Sequence, residues 1–297
     1  MIKMIDIAPY INDPNSVISH KCLVKVNAVY KSLKSAERKA TDYMLTHPIE
    51  FANNTVVDLA ALVGCSQATI VRVAHKLGFS GYVELKKALL RTKDDSDVLY
   101  EAISSEDSEM DVVRKVFQTS IQAISDTLNI IDISHYEQAV QALQKAGKVL
   151  FVGTGDASTV AMTGYYKFGR VGINAIFSQD YDIQLISASQ LKKGDVVVAI
   201  SHSGRTKTVI DVVRAAKGEG ATIISITNFP MSTLAKLSNI SLITAAYVKN
   251  VIGEIMTKRI PALCIIESLY VSLTRKMNMD VAVAMEKSNT ILTTNKI

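Results

Sequence analysis

Cysteine is scarce: 297 residues hold three, Cys22, Cys65 and Cys264. Odd in number and far apart, they offer no disulfide framework and no metal-ligand spacing. Buried thiols in a reducing compartment are their expected role. No apolar run approaches the roughly 20 residues that span a bilayer. The first residues lack the basic stretch and apolar core of a signal peptide, and there is no internal repeat. The expectation is a cytoplasmic chain with no membrane partner, no metal and no cofactor. What remains is 48% hydrophobic and 21% charged, ordinary for a globular protein. The length suffices for two domains, each with its own core.

Charge is unevenly spread. Residues 21–93 carry 12 Lys/Arg against 5 Asp/Glu, residues 94–111 carry 8 acidic groups and no basic one, and residues 112–297 carry 20 basic against 13 acidic. A basic unit and a larger unit thus flank an acidic stretch that reads as a solvated linker. Residues 1–20, with Pro9, Asn12, Pro14 and Asn15, read as a flexible leader. The expected organisation is a leader over 1–20, an all-helical domain over 21–97, a linker over 98–111 and an α/β domain over 112–297.

Within the basic unit, helical periodicity begins near Val24 and Pro48 interrupts it. Residues 56–75, V-V-D-L-A-A-L-V-G-C-S-Q-A-T-I-V-R-V-A-H, read as two helices joined by a tight turn. Gly64 supplies the positive φ that such a turn needs, and Ser66 can cap the second helix. Leu59, Val63, Ile70 and Val73 would face one another across the pair, with Ala60 at the close approach. This is helix-turn-helix spacing, in which the second helix enters the DNA major groove. Its outer face carries Gln67, Ala68, Thr69, Val71, Arg72, His75 and Lys76. Gln67 and Arg72 can reach base edges, while Thr69, His75 and Lys76 suit phosphates. The stretch L-A-A-L-V-G-C-S-Q-A-T-I-V-R-V-A-H-K-L-G-F-S-G-Y-V-E-L-K-K resembles the N-terminal domain of the RpiR/MurR family of bacterial regulators. Ser66, Ala68, Thr69, Arg72, Lys76, Leu77, Gly78, Phe79, Gly81, Tyr82 and Leu85 match the family pattern. Val73 stands where that family usually has Phe, which implies local repacking. Ser66, Gln67, Thr69, Arg72, His75 and Lys76 are the candidate DNA-binding residues.

From Gln138 onward, short apolar runs alternate with helical stretches. The candidate strands are Val149–Val152, Ala175–Phe177, Val196–Ile200, Thr222–Thr227 and Ile240–Ile243, with helices such as Ser158–Arg170 and Thr208–Lys217 between them. Such alternation predicts a doubly wound parallel sheet of about five strands, whose ligands bind beyond the carboxyl ends of the strands. After the third run the chain reads S-H-S-G-R-T. Ser201, Ser203 and Thr206 offer hydroxyls, Gly204 lets backbone approach a ligand, and a helix N-terminus follows, so the loop is an anion site in outline. After the first run comes G-T-G-D-A-S, with Gly153, Gly155 and Ser158. A Gly-x-Gly pair also occurs in dinucleotide sites, and Asp180 beyond the next strand keeps a nicotinamide site open as an alternative.

The pair G-x-G-x-x-S and I-S-x-S-G-x-T resembles the SIS (sugar isomerase) domain, which binds phosphorylated sugars. The resemblance extends through K-F-G-R-V-G at 167–172, L-K-K-G-D-V-V before the second loop and K-R-I-P-A-L at 258–263. It implies that Ser201, Ser203 and Thr206 hold a phosphate with nearby N–H groups and that Ser158 contacts sugar or phosphate. Gly153, Gly155, Gly204 and Glu254 complete the candidate ligand residues. Asp156 departs from this picture, since a carboxylate beside a phosphate is repulsive; it either meets sugar hydroxyls or faces away. An isomerase needs a general base. Glu254 and His202 are the candidates near the site, but neither sits in a pattern that demands catalysis, and alternation along the chain points His202 away from the serines. Fusion to a DNA-binding unit makes a sensor the simpler account. The expectation is a transcription factor of sugar-metabolism genes, a homodimer or tetramer on operator DNA, answering to a phosphorylated sugar. An isomerase-like enzyme is the alternative.

Overall fold

In the helical part, local signals set each boundary. The computed structural model describes residues 10, 16–90, 103–247 and 257–294. Ser19 caps α1 (His20–Val29) by accepting from the Cys22 N–H at 3.3 Å, and its hydroxyl donates to Ala88 O at 2.5 Å. Ile18 is buried and bridges antiparallel to Leu90. The described end of the expected leader is therefore structured; its remainder lies outside the described residues. After a 3-10 turn come α2 (Ser35–Thr46) and α3 (Pro48–Asn53), with Pro48 at the helix start, where its missing N–H costs nothing. α4 (Val56–Val63), α5 (Gln67–Lys76) and α6 (Tyr82–Leu89) follow. One core gathers Cys22, Leu23, Met44, Phe51, Leu59, Ile70, Val73 and Leu85. The Tyr82 hydroxyl donates to Phe51 O at 2.7 Å, tying α6 to α3.

The acidic stretch is more ordered than a solvated linker where it is described. Its carboxylates cap and pair at the start of α7 (Glu109–Ile130). Asp111 accepts from the Ser108 hydroxyl, and Asp107 pairs with Lys115 at 2.8 Å. Anions belong at a helix N-terminus. Helix α7 groups with the preceding helices: one compact unit holds the described residues up to Ile130 with Ala245–Tyr247 and Thr257, and the other holds Ile131–Thr244 with the residues from Lys258 onward. The compact units thus divide at Ile130, whereas charge composition alone drew the line at residue 112.

In the second unit, five parallel strands form one sheet in the order β2-β1-β3-β4-β5. β1 (Val149–Val152), β2 (Ala175–Phe177), β3 (Val196–Ile200), β4 (Thr222–Thr227) and β5 (Ile240–Ile243) coincide with the runs expected from sequence. Alternate side chains feed two cores. Val149, Phe151, Val196, Val198 and Ile224 pack under α8 (Ile133–Gln144), α9 (Asp156–Arg170) and α13 (Arg259–Thr293). Leu150, Val152, Val197, Ala199 and Ile223 pack under α10 (Tyr181–Ser189), α11 (Lys207–Gly218) and α12 (Thr233–Leu237). Residues buried on both faces explain the unbroken apolar runs. Cys22 is buried as expected, and burial pushes its thiol up to about 12. Cys264 is exposed, contrary to that expectation. Its helix turns the 260–273 stretch so that Ile265, Ile266, Leu269 and Leu273 face the core instead.

Candidate functional site

The recognition-helix geometry follows from two local signals. Gly64 adopts φ 67°, ψ 48°, and its N–H and that of Cys65 return to the end of α4. A side chain there would cost strain in the left-handed region. Ser66 then caps α5, accepting from the Thr69 N–H at 3.2 Å. Helices α4 and α5 meet at 100°, the angle of a helix-turn-helix pair. Leu59, Ala60, Val63, Ile70 and Val73 are buried between them, as their spacing requires.

Gln67, Arg72, His75 and Lys76 are exposed on α5, and Ser66 lies at its N-terminus. Thr69 is placed differently from the phosphate role expected of it. It is buried, and its hydroxyl lies 2.8 Å from the Ser66 hydroxyl and accepts from Arg72 Nη2 at 3.0 Å. Position 69 turns inward because i+3 from the cap returns toward the α4 side. Thr69 is thus a positioning residue for Arg72. The buried carboxylate of Glu37 on α2 lies 2.7 Å from Lys76 Nζ and 3.9 Å from Arg72 Nε. Burial works against that charge, but the Lys76 ammonium and the Lys34 backbone N–H outweigh it and hold the carboxyl below its usual range. The His75 Nε2 donates to Ser80 O at 3.0 Å.

In the second unit the chain order reverses between β1 and β3, which are hydrogen-bonded neighbours. Loops leaving such a switch point form the ligand crevice of open α/β sheets. Residues 153–155 leave β1 and residues 201–206 leave β3, and the Thr154 and Thr208 hydroxyls lie 3.1 Å apart across them. Sequence reasoning passed over both threonines, although hydroxyls in the first loop and at the start of the helix after the second were a usable signal. Ser201 is buried; its hydroxyl lies 2.9 Å from that of Thr206 and accepts from the Gly204 N–H at 3.1 Å. Ser203 is exposed and accepts from the Arg205 N–H at 3.2 Å. Thr206 is the cap residue of α11 but makes no side-chain cap bond, which leaves the first-turn N–H groups without a capping side chain. Gly155 precedes α9, and Ser158 donates to Gly155 O at 2.6 Å. Gly153 closes β1 beside them. Glu254 lies outside the described residues.

Beside these loops, within the same unit, a small cleft is lined by Asp156, Ile200, His202, Thr244, Lys258 and Arg259 among others. Asp156 opens α9 rather than sitting in the loop. Its oxygens lie 2.9 Å from Lys258 Nζ and 3.8 Å from Arg259 Nη1, and the Lys258 hydrogen bond holds its carboxyl below the usual range. Lys258 and Arg259 are 102 and 103 residues away in sequence, so although K-R-I-P-A-L marked the stretch, no local signal announced their pairing with Asp156. The His202 ring packs edge-on against Phe229, and its buried Nδ1 has no hydrogen-bond partner. His202 thus lines this cleft.

Burial, and then the Lys258 charge, lowers the His202 pKa from 6.5 to about 4. The unfolded chain therefore takes a proton that the folded one refuses. Stability is complete above pH 6.5 and falls as pH drops toward 4, by about 3 kcal/mol at most. Denaturant unfolding across that range checks this: His202→Asn should remove that share of the acid loss, and an unchanged acid profile would contradict it.

Asp180 caps α10 by accepting from the Ile183 N–H at 2.9 Å. Its carboxylate is thus engaged locally, away from the ribose role that a nicotinamide site requires. Among the described residues, no three His, Cys, Asp or Glu gather as a metal site, and no single helix is long and apolar enough to cross a membrane.

Comparison with known proteins divides the chain the same way. Residues 20–95 match the model of the helix-turn-helix domain of the rpiR family, and residues 142–272 match the SIS domain. An uncharacterised HTH-type transcriptional regulator of Caldanaerobacter subterraneus is 33% identical over 276 residues, 93% of this chain and 98% of its own. The HTH-type transcriptional regulator RpiR of Escherichia coli K12 is 31% identical over 239 residues, 80% of either chain. Among solved structures, Vibrio vulnificus NanR complexed with ManNAc-6P shares the fold with a TM-score of 0.57 and 24% identity, covering 91% of this chain and 97% of that one.

Proposed function

The chain belongs to the rpiR family of helix-turn-helix regulators and carries a SIS domain, and from that premise we propose that it is a transcriptional regulator whose DNA affinity answers to a phosphorylated sugar. One observation carries the ligand half: the loop after β1 meets the first turn of α11 through Thr154 and Thr208, at the switch point and beside a helix start whose cap residue makes no side-chain cap bond. Hydroxyls, N–H groups and the positive end of a helix suit a phosphate. The adjoining cleft holds one carboxylate, Asp156, against two cations, Lys258 and Arg259, with His202 neutral, so its net charge also favours an anion. The relative NanR was solved with ManNAc-6P, a ligand of this class.

The DNA half rests on α5, whose exposed Gln67, Arg72, His75 and Lys76 would face the groove. Ser203, Ser201 and Thr206 would hold the phosphate, with Ser158, Gly153, Gly155 and Gly204 shaping the loops and Glu254 close by. Ligand binding alters DNA affinity only through contacts that differ between two states of the protein. Cytoplasmic location and a dimeric form on two-fold operators belong to the same reading.

Thermal unfolding against a panel of sugar phosphates, with inorganic phosphate and the free sugars as controls, tests the ligand half. One phosphorylated sugar should raise the melting temperature in proportion to its occupancy. Ser203→Ala should shift half-saturation by roughly 10- to 100-fold, the scale of one lost hydrogen bond of 1–3 kcal/mol. No response to any phosphorylated sugar would end the proposal, and turnover of one would favour the isomerase-like alternative.

A further inference from the structure

A buried carboxylate lies against the root of the DNA-reading helix. Glu37, in the first turn of α2, is 3% exposed. Its Oε2 accepts from the Lys34 N–H at 2.8 Å and from Lys76 Nζ at 2.7 Å, and its Oε1 lies 3.9 Å from Arg72 Nε. The same guanidinium donates from Nη2 to the Thr69 hydroxyl at 3.0 Å. Arg72 and Lys76 are therefore both held from the interior while their outer parts meet solvent.

Capping α2 does not require this charge. Gln serves at the third helical position as well as Glu, because the backbone N–H needs only an oxygen. Burying a carboxylate is costly unless cations compensate it. The two compensating cations here are residues that the regulator reading aims at DNA. The carboxyl is held below its usual range, so the charge is present near neutral pH. A duplex of any sequence offers those cations a competing anion in its phosphates.

We propose that Glu37 is a specificity-determining positioning residue for DNA reading, holding Arg72 and Lys76 on α5 against capture by the phosphates of unmatched sequences. The inference rests on the DNA half of the proposed function. To reach a phosphate, either cation must give up contact with a carboxylate that the interior cannot leave unpaired. A base-reading Arg72 keeps its place. Its guanidinium has five N–H donors, so the contacts to Glu37 and Thr69 leave others for a base edge, already oriented. Glu37 thus penalises wrong sequences more than the right one, and specificity is that difference of affinities. Without its charge the protein should bind DNA more readily and read it less well.

The test uses the full chain, a duplex that it selects from a randomised library, and a shuffled duplex of the same composition. Glu37→Gln keeps an oxygen for the α2 cap and removes the charge. It should tighten binding to the shuffled duplex roughly tenfold, the scale of one phosphate contact at about 0.1 M salt, and the ratio of the two affinities should fall about as much. With Arg72→Ala already present, Glu37→Gln should shift both duplexes alike, because the discrimination passes through Arg72. A merely structural carboxylate would alter the melting temperature and leave the ratio alone, so an unchanged ratio in the folded variant overturns the proposal. A second arm needs no substitution at position 37. In heteronuclear NMR spectra of the wild type, the Arg72 Nε–H, identified by its loss in Arg72→Ala, should exchange slowly with solvent on the selected duplex and rapidly on the shuffled one. Equal exchange on both overturns the proposal even should Glu37→Gln misfold. A wild type that selects no duplex overturns the regulator reading as well, whereas selection with an unchanged ratio in the variant overturns this inference alone.

Discussion

Gly204→Ala is expected to lower the stability of the sheet-bearing unit by about 3 kcal/mol, from left-handed backbone strain and overpacking together. Gly204 sits at φ 60°, and a Cβ there would lie 2.1 Å from Ser232 Oγ and 2.4 Å from Ser232 Cβ. Ser232 cannot simply move aside. It is buried and caps α12 through the Ala235 N–H, while the Leu234 N–H donates to Gly204 O at 3.0 Å. The methyl group must displace either the α12 cap or the loop, and the loop carries Ser201, Ser203 and Thr206. Denaturant unfolding should show a lower midpoint at unchanged m-value. The added variant Ser232→Gly should recover the steric part of the loss while forfeiting a cap worth about 1 kcal/mol. An unaltered midpoint in Gly204→Ala would refute the close packing described for this turn.

The second large effect concerns DNA. Arg72→Ala should weaken specific binding by roughly 10- to 100-fold and relax preference at one base position, as expected for a base-reading arginine worth 1–3 kcal/mol. Lys76→Ala should instead weaken binding to all sequences alike and reduce the salt dependence by about one phosphate contact. Both cations face the buried Glu37 carboxylate in the free protein, so DNA must draw them partly from that partner. Titrations of upstream fragments at several salt concentrations separate the two residues. An identical uniform loss for both would remove the base-reading role of Arg72, and loss of sugar-phosphate response with either would signal misfolding rather than a lost contact.

Legibility in the sequence followed how local each determinant is. The five strands were legible to the residue because each is a short run rich in apolar residues bounded by polar turns, and the three central ones, β1, β3 and β4, are buried on both faces. The helix-turn-helix was legible because Gly64, Ser66 and four core positions act within some fifteen residues. Thr69 was misplaced because a threonine on a helix carries no mark of the side it faces; the Ser66 cap and Arg72 decided that. Asp156 presented an unresolved charge in sequence, and the structure resolves it with Lys258 and Arg259, which only the return of α13 to the sheet brings near. The acidic stretch read as solvated linker, yet Asp107 and Asp111 anchor the start of α7.

The sequence by itself determined the two kinds of architecture, the order of strands and helices along the chain, the turn at Gly64 and the hydroxyl loop after β3. These depend on backbone preference, burial period and capping, which act over a few residues. Only the tertiary structure decided that Thr154 of the loop after β1 meets Thr208 in the first turn of α11, that His202 lines a cleft beside two distant cations, and that α7 shows its apolar stripe outward. Such outcomes depend on which surfaces pack together, and contacts between residues a hundred positions apart leave no period in the chain.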